Sequence, residues 1–265
     1  METMGMQLKD KIAVISGAGS GIGKATALLL AQEGAKIATI DHTPDESQKT
    51  VDQIHTEGGE GLVTIADISQ PEQVEQAFEK ISEYWGKIDI VFANAGINGV
   101  WAPLEDLTPE EWDKTLSTNL KGTFLTVKYA LPYLKQQGGS IIINSSVNGT
   151  RMFSNTGATA YACSKAAQVA LAKMIAVELA QYKIRVNVIC PGAIDTNIDD
   201  STTQENLEEV KIPVEFPEGQ IPLTGKESAK AAQVAQVVLF LASDASSHVT
   251  GTELWVDGGQ SLLQG

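Results

Sequence analysis

The stretch from Lys11 to Gly34 reads KIAVISGAGSGIGKATALLLAQEG: a β-branched apolar run, a glycine-rich turn, then an apolar segment with helical spacing. Gly17, Gly21 and Gly23 allow a tight turn and a close backbone approach to a pyrophosphate. Ser20 and Ile22 lie among them where a helix begins, and a helix N-terminus offers unpaired N–H groups and a positive dipole end. The unit predicts a dinucleotide site. Taken by itself, the motif also fits a glycine-rich turn that holds no ligand.

Six more apolar runs follow: KIATID (36–41), LVTIAD (62–67), IDIVFA (88–93), SIIINS (140–145), IRVNVI (184–189) and ELWVD (253–257). Each is apolar nearly throughout, as strands covered on both faces are, and segments of helical period separate them. The alternation predicts an α/β fold, a single-domain, doubly wound parallel sheet of about seven strands with helices on both faces and right-handed crossovers. Ligands of such sheets sit beyond the carboxyl ends of the strands. Thr43, Ser69 and Thr108, each with Glu three residues on, predict three capping boxes; Pro44 and Pro109 suit the first helical position. Residues 191–226 carry neither a strand nor a strong helix signal and are expected to form a substrate-binding loop or lid.

The chain has 265 residues, 43% of them hydrophobic and 20% charged, which suits one globular domain spanning 1–265. Its 33 acidic against 19 basic side chains give a net charge of −14, which disfavours nucleic acid and anionic membranes as partners. Cys163 and Cys190 make no disulfide framework, and METMGMQLKD lacks the features of a signal peptide, so a reducing cytoplasm is expected. Both cysteines read as small buried apolar groups. His42, His55 and His248 are scattered without metal-ligand spacing, and no metal site is expected.

Asp41 ends the second run, eighteen residues beyond Gly23, near the spacing of a carboxylate that binds the adenosine ribose and would repel a 2′-phosphate. No Arg or Lys occurs in 41–47, so NAD is expected rather than NADP. A helix-capping role for Asp41 is the alternative, for which Thr43 is better placed. Asp67 and Ile68 follow the third run, and Asn94, Ala95 and Gly96 the fourth, at the same sheet edge, although Asp, Asn and Gly also form turns for local reasons.

Tyr161 and Lys165 stand four apart on one face of a helix. A nearby cation favours phenolate and so brings a phenol of ordinary pKa ~10 toward working pH. Such pairs are also common on surfaces. The glycine motif makes the functional reading the stronger one.

Together these features resemble the short-chain dehydrogenases/reductases of the single-domain type. The resemblance covers essentially the whole chain: the glycine motif, Asp67, the N-A-G of 94–96, Asn119, Ser145-Ser146, Tyr161 with Lys165, Pro191-Gly192 with Thr196, and VDGG at 256–259. It implies a catalytic set of Asn119, Ser146, Tyr161 and Lys165. Tyr161 would be the acid/base and Ser146 would hold the substrate oxygen. Lys165 would bind the nicotinamide ribose and, together with the positive nicotinamide of NAD⁺, lower the Tyr161 pKa, and Asn119 would support a water linked to Lys165. Pro191, Gly192, Ile194 and Thr196 would anchor the carboxamide, and relatives suggest a homotetramer packing the helices near 105–135 and 159–181. One departure is the Ser146-to-Tyr161 spacing of fifteen rather than thirteen, so the loop between them is about two residues longer. Ser146 is preferred to Ser145 because x-x-Gly149 follows it and strand alternation turns Ser145 away; Ser154 and Thr159 are weaker substitutes. Trp101, Met152 and Phe153 read equally as pocket lining or as packing.

These readings predict an NAD-dependent oxidoreductase for a small secondary alcohol or ketone, of sugar, polyol or steroid-like type. Asp199, Asp200, Glu205, Glu208, Glu209, Glu215 and Glu218 against Lys211 alone disfavour polyanionic substrates. The alternatives are an NADPH-dependent 3-oxoacyl-[acyl-carrier-protein] reductase, whose cofactor and basic docking residues this chain does not match, and an inactive nucleotide-binding regulator.

Overall fold

The computed structural model describes residues 6–210 and 219–264. Seven strands form one parallel sheet: β1 Ile12–Ser16, β2 Lys36–Asp41, β3 Gly61–Ile65, β4 Ile90–Ala93, β5 Gly139–Asn144, β6 Ile184–Pro191 and β7 Glu253–Val256. Every one falls on a predicted run. Their spatial order is β7-β6-β5-β4-β1-β2-β3, so the winding reverses between β1 and β4 and leaves a crevice at their carboxyl ends.

Alternate residues of a strand face opposite sides. Ile12 and Val14 of β1 join a core with Phe78 of α3 (Pro71–Trp85), Leu134 of α5 (Gly122–Leu134) and Val169 of α6 (Thr159–Ala180). Ala13 and Ile15 instead pack with Leu30 of α1 (Gly21–Gln32), Ile54 of α2 (Pro44–Thr56) and Val238 of α7 (Ala231–Ala242). The sheet therefore separates two cores, each requiring its own helix layer. A fully buried side chain such as Phe78 or Ile37 contributes roughly 1.5–3 kcal/mol.

Only one of the three expected capping boxes forms as predicted. Thr108 and Glu111 exchange their bonds at the start of α4 (Pro109–Leu116), whereas Thr43 makes no side-chain cap bond at α2. The N-cap of α3 is Gln70; Ser69 bonds the Asp67 carboxylate instead. Between α4 and α5 the backbone makes a π turn, Ser117–Lys121, which contains Asn119. Local widenings of this kind shift backbone groups out of helical register and often lie at functional sites.

The stretch 191–226 is more structured than its sequence suggests. Ile194–Asp195 pairs with Ala229–Lys230, and Thr202–Gln204 pairs with Gly99–Trp101 beyond β4. Asn197–Ser201 forms a 3-10 turn. Lys211, Glu215 and Glu218, like the first five residues of the amino-terminal stretch, lie outside the described residues. Cys190 is buried as expected, but Cys163 is exposed: on α6 it is turned from the face that carries Tyr161 and Lys165. Among the described residues no helix is long and apolar enough to cross a membrane, and no cluster of His, Cys, Asp and Glu could hold a metal.

Candidate active site

A groove of about 430 Å³ opens at the carboxyl ends of β1, β2 and β4. Gly17, Ser20, Gly21 and Ile22 form one wall, Asp41 and Glu46 one end, and Asp67, Ile68, Asn94, Ala95, Gly96 and Thr196 continue it. Gly23 lies beneath: a Cβ there would stand 1.9 Å from the Gly17 carbonyl oxygen, so only glycine lets α1 sit this close to the turn. Ser20 caps α1 without a side-chain bond, and the first turn holds no acidic residue. The donors at this helix end therefore meet no acidic side chain from the helix's own first turn, which fits a pyrophosphate.

Asp41 is fixed before any nucleotide is considered. Its carboxylate accepts from the Gly19 N–H (3.1 Å) and the Thr43 N–H (3.2 Å). Asp67 accepts from the Ser69 backbone and hydroxyl at 2.9 and 2.8 Å, which sets its orientation at the groove edge.

Asparagines tie the strand ends together. Asn94 Nδ2 donates to the carbonyls of Ser16 (3.0 Å) and Gly17 (3.1 Å), and Asn144 Nδ2 donates to Asn94 Oδ1 (2.9 Å). Oδ1 of Asn144 is buried without a hydrogen-bond partner among the described residues, and Asn144 lines both this groove and the next pocket. An orphaned acceptor at that junction suits a donor brought by a ligand.

The second pocket, about 320 Å³, brings together Ser146, Tyr161, Lys165, Pro191, Gly192, Ile194 and Thr196. Tyr161 and Lys165 come from the first turns of α6 and are almost fully buried. The Lys165 Nζ lies 5.5 Å from the centre of the Tyr161 ring and donates to the Asn144 carbonyl at 2.8 Å. Ser146 follows β5 and its hydroxyl bonds the Tyr161 side chain. Ser145 turns away and donates to the Lys165 carbonyl, as strand alternation predicts. Gly149 explains the x-x-Gly after Ser146: it takes φ +78° and its Cα–H side presses on the Ala162 carbonyl, where a Cβ would approach to 2.1 Å. Ser154 donates to the Gln264 carbonyl, and neither it nor Thr159 lines the pocket.

Asn119 is fully buried and holds the site from behind. Its Oδ1 accepts from Ile97 N (2.8 Å) while its Nδ2 donates to the Ile97 carbonyl (2.9 Å) and to Ser164 Oγ (3.0 Å). Its carbonyl, freed by the π turn, accepts from Thr123 Oγ1 and Gln168 Nε2. Asn119 thus pins the 94–97 loop against α6. Gly96 fits between this side chain and Lys165: a Cβ there would lie 3.0 Å from Asn119 Oδ1 and 3.7 Å from Lys165 Nζ.

Burial pushes the Tyr161 phenol above its ordinary value, and only the Ser146 hydrogen bond opposes it; Lys165 does not bring it down in the protein alone. Burial also lowers Lys165 to about 8, so near neutral pH it still carries its charge beside Tyr161.

The open question over Trp101, Met152 and Phe153 resolves by residue. Trp101 and Met152 line the second pocket, whereas Phe153 is 75% exposed and does not. The loop of 147–158 is fastened at its tip: the Arg151 guanidinium stacks 3.5 Å from the Trp255 ring of β7. Sequence reasoning missed Asn144, Glu46 and Gln260; the last accepts from Ala193 N at 2.8 Å and so fixes the 191–194 backbone. Asn144 ends an apolar strand just as Asn94 does, and that parallel was the available signal. A larger cleft of about 550 Å³ lies at the opposite end of the strands, where Lys11 pairs with Asp89 and Arg185 donates to Ser246.

A family model described as enoyl-(acyl carrier protein) reductase matches residues 17–261. The chain is 38% identical over 255 residues to the 3-oxoacyl-[acyl-carrier-protein] reductase FabG of Thermotoga maritima, covering 96% of this chain and 99% of that protein. It is 39% identical over 257 residues to the levodione reductase of Leifsonia aquatica, covering 95% and 94%. A solved 3-ketoacyl-ACP reductase from Sinorhizobium meliloti 1021 superposes with TM-score 0.92 at 50% identity, covering 95% of this chain and 99% of that one.

Proposed function

The chain belongs to the short-chain dehydrogenase/reductase family, and from that premise we propose an NAD-dependent oxidoreductase that moves hydride between nicotinamide and a small secondary alcohol or ketone. One observation carries the reading: Ser146, Tyr161 and Lys165 meet in a buried pocket contiguous, through Asn144, with the groove that ends at Asp41. Gly17, Ser20, Gly21, Ile22 and Gly23 would hold the pyrophosphate, Asp41 the adenosine ribose, Asp67 and Ile68 the adenine side, Asn94 to Gly96 and Lys165 the nicotinamide ribose, and Pro191, Gly192, Ile194 and Thr196 the carboxamide. A bound nicotinamide supplies the hydride donor or acceptor, and in its oxidised form a positive charge beside Tyr161.

The chain's own residues manage the proton. In oxidation, Ser146 Oγ and Tyr161 Oη hold the substrate hydroxyl. Its carbinol hydride would go to the bound oxidised nicotinamide, and its hydroxyl proton would pass to the Tyr161 phenolate, leaving the neutral phenol. In reduction Tyr161 returns that proton to the carbonyl oxygen. Low solvent access strengthens these contacts, since general acid–base groups in a dry site act with little screening. Asn119 keeps the 94–97 loop and α6 in register, which fixes Lys165 relative to Tyr161.

Asp41 and Glu46 at the ribose end support NAD over NADP, because a 2′-phosphate would face two carboxylates. Of the expected 191–226 segment, residues 191–199 would form the substrate-binding wall. Exposed Met174 and Val177 on α6 and Phe124 on α5 support self-association through those helices, in keeping with a homotetramer, and the two separate cysteines suit the cytoplasm.

A second reading, reduction of a 3-oxoacyl thioester on acyl carrier protein with NADPH, is favoured by the names of the Thermotoga and Sinorhizobium relatives. Asp199 at the pocket and Asp200 at the adjoining groove argue against an acidic carrier. The test is a panel of alcohols, ketones and an acyl-carrier thioester with NAD(H) and NADP(H), followed at the nicotinamide absorbance for wild type and Tyr161→Phe. Equal rates in the two proteins would overturn the mechanism. Preferred turnover of the thioester with NADPH would establish the second reading, and no turnover anywhere would favour a regulator.

A further inference from the structure

The second pocket is furnished for hydroxyl groups beyond the one that reacts. Asn155 Nδ2 donates to Asn148 Oδ1 at 2.9 Å, and Asn148 N donates to Ser146 Oγ at 3.1 Å. With its Oδ1 taken, Asn148 keeps amide donors next to the serine that holds the reacting oxygen, while Asn155 keeps its Oδ1 as an acceptor. On the other wall Asn98 Nδ2 is bound to Thr202 Oγ1 at 2.7 Å, which leaves the Asn98 carbonyl oxygen as a further acceptor. The Asp199 carboxylate lines the same space, and Trp101 adds an aromatic surface.

This inventory mixes donors and acceptors. A hydroxyl does both, so neighbouring hydroxyls can answer Asn148 and Asp199 or Asn155 together. A second carbonyl answers only the donor. A steroid or acyl chain answers neither and would strip the half-buried Asn148 and the buried Asn98 of water without replacement, which is unfavourable for both, while Asn155 and Asp199 stand exposed at the rim. Asp199 and the adjacent Asp200 also repel a phosphorylated or carboxylated substrate. The pocket's size points the same way, because its 320 Å³ includes the Pro191–Thr196 wall reserved for the nicotinamide end.

We propose that the substrate is a neutral polyhydroxylated molecule, a polyol or sugar oxidised at a secondary carbon that bears a neighbouring hydroxyl, with Asn148, Asn155 and Asp199 as specificity-determining residues. The proposal rests on the oxidoreductase reading above and narrows it. The reaction remains removal of hydride from the carbinol carbon to nicotinamide and of the hydroxyl proton to Tyr161; the neighbouring hydroxyl is bound and unchanged.

Matched skeletons test it: inositol against cyclohexanol, and erythritol against sec-butanol, with the purified full chain and NAD⁺. The expected kcat/KM is at least about tenfold higher for the polyhydroxylated member of each pair, the kind of margin given by a site built to bond hydroxyls. Asn155→Ala and Asp199→Asn should each shrink that ratio through KM. Binding gives an independent readout: Tyr161→Phe with NADH should be stabilised against heating by inositol or erythritol and not by cyclohexanol at equal concentration. Ratios of one or below, or ratios untouched by both substitutions, overturn the polyol assignment while leaving the oxidoreductase reading intact. Absence of nicotinamide-linked turnover with every alcohol and its ketone overturns both.

Discussion

The ammonium of Lys165 is bound to the carbonyl of Asn144 at 2.8 Å, deep enough that burial holds it near 8 instead of 10.5. Since the folded value is the lower one, the unfolded chain binds more protons between these limits, and stability rises with pH across that window. Below pH 8 the buried charge costs roughly 3 kcal/mol, the equivalent of the shift at ~1.36 kcal/mol per unit. Lys165→Met should therefore be more stable than wild type at pH 7, by about 1–2 kcal/mol after allowing for the unpaired carbonyl. Denaturant melts should show this gain fading as pH rises from about 8 to 10.5. Activity should drop by at least ~10²-fold.

Tyr161 sits on the opposite slope. Burial raises its pKa and the Ser146 bond resists, so Ser146→Ala should move the pH dependence of alcohol oxidation upward as well as lower its rate. Tyr161→Phe should cut kcat by roughly 10²–10⁴-fold with little loss of NADH affinity. A pH profile unchanged in Ser146→Ala would contradict this account.

Gly23→Ala places a methyl where the Gly17 carbonyl already is. Thermal melts should show a loss of about 1–3 kcal/mol from overpacking. Fluorescence titration should show weakened NADH binding even in protein that remains folded, because α1 must retreat from the turn.

Removing the Asp41 carboxylate frees the Gly19 and Thr43 N–H groups. Asp41→Ser should raise kcat/KM for NADP⁺ relative to NAD⁺ by at least about tenfold, since a like-charge contact is worth several kcal/mol. A preference for NADP⁺ already present in the wild type would refute the role given to Asp41.

The caps make a paired test. Thr108→Ala should cost about 1 kcal/mol by dismantling a formed capping box. Thr43→Ala, whose hydroxyl caps nothing, should stay within about 0.5 kcal/mol by urea melts.

These contrasts mark what the sequence carried. Strands such as IDIVFA were legible because burial on both faces forces apolarity at every position, and the glycine turn because only one residue type fits its close contacts. Capping at Ser69 was not, since the cap residue depends on where φ and ψ leave the helix, and Pro71 moved that point to Gln70; Thr43 does sit at the N-cap of α2 but its hydroxyl makes no cap bond. The π turn at Asn119 has no residue signature. The pairing of Gly99–Trp101 with Thr202–Gln204 joins segments about a hundred residues apart, each too short to show a period. Tyr161 and Lys165 could be paired from spacing and Ser146 added through the family resemblance; that burial would raise Tyr161 could not be read, because solvent access belongs to the folded molecule.

The clamp of Arg151 on Trp255 lies at the tip of the 147–158 loop, well along the chain from both Ser146 and Tyr161. The two additional residues are therefore taken up between fixed ends, like slack in a cord tied at three knots. A loop moored in this way can be exchanged for one of different length or polarity while the proton-handling residues keep their places, so the enzyme's appetite is open to revision by grafting where its chemistry is not.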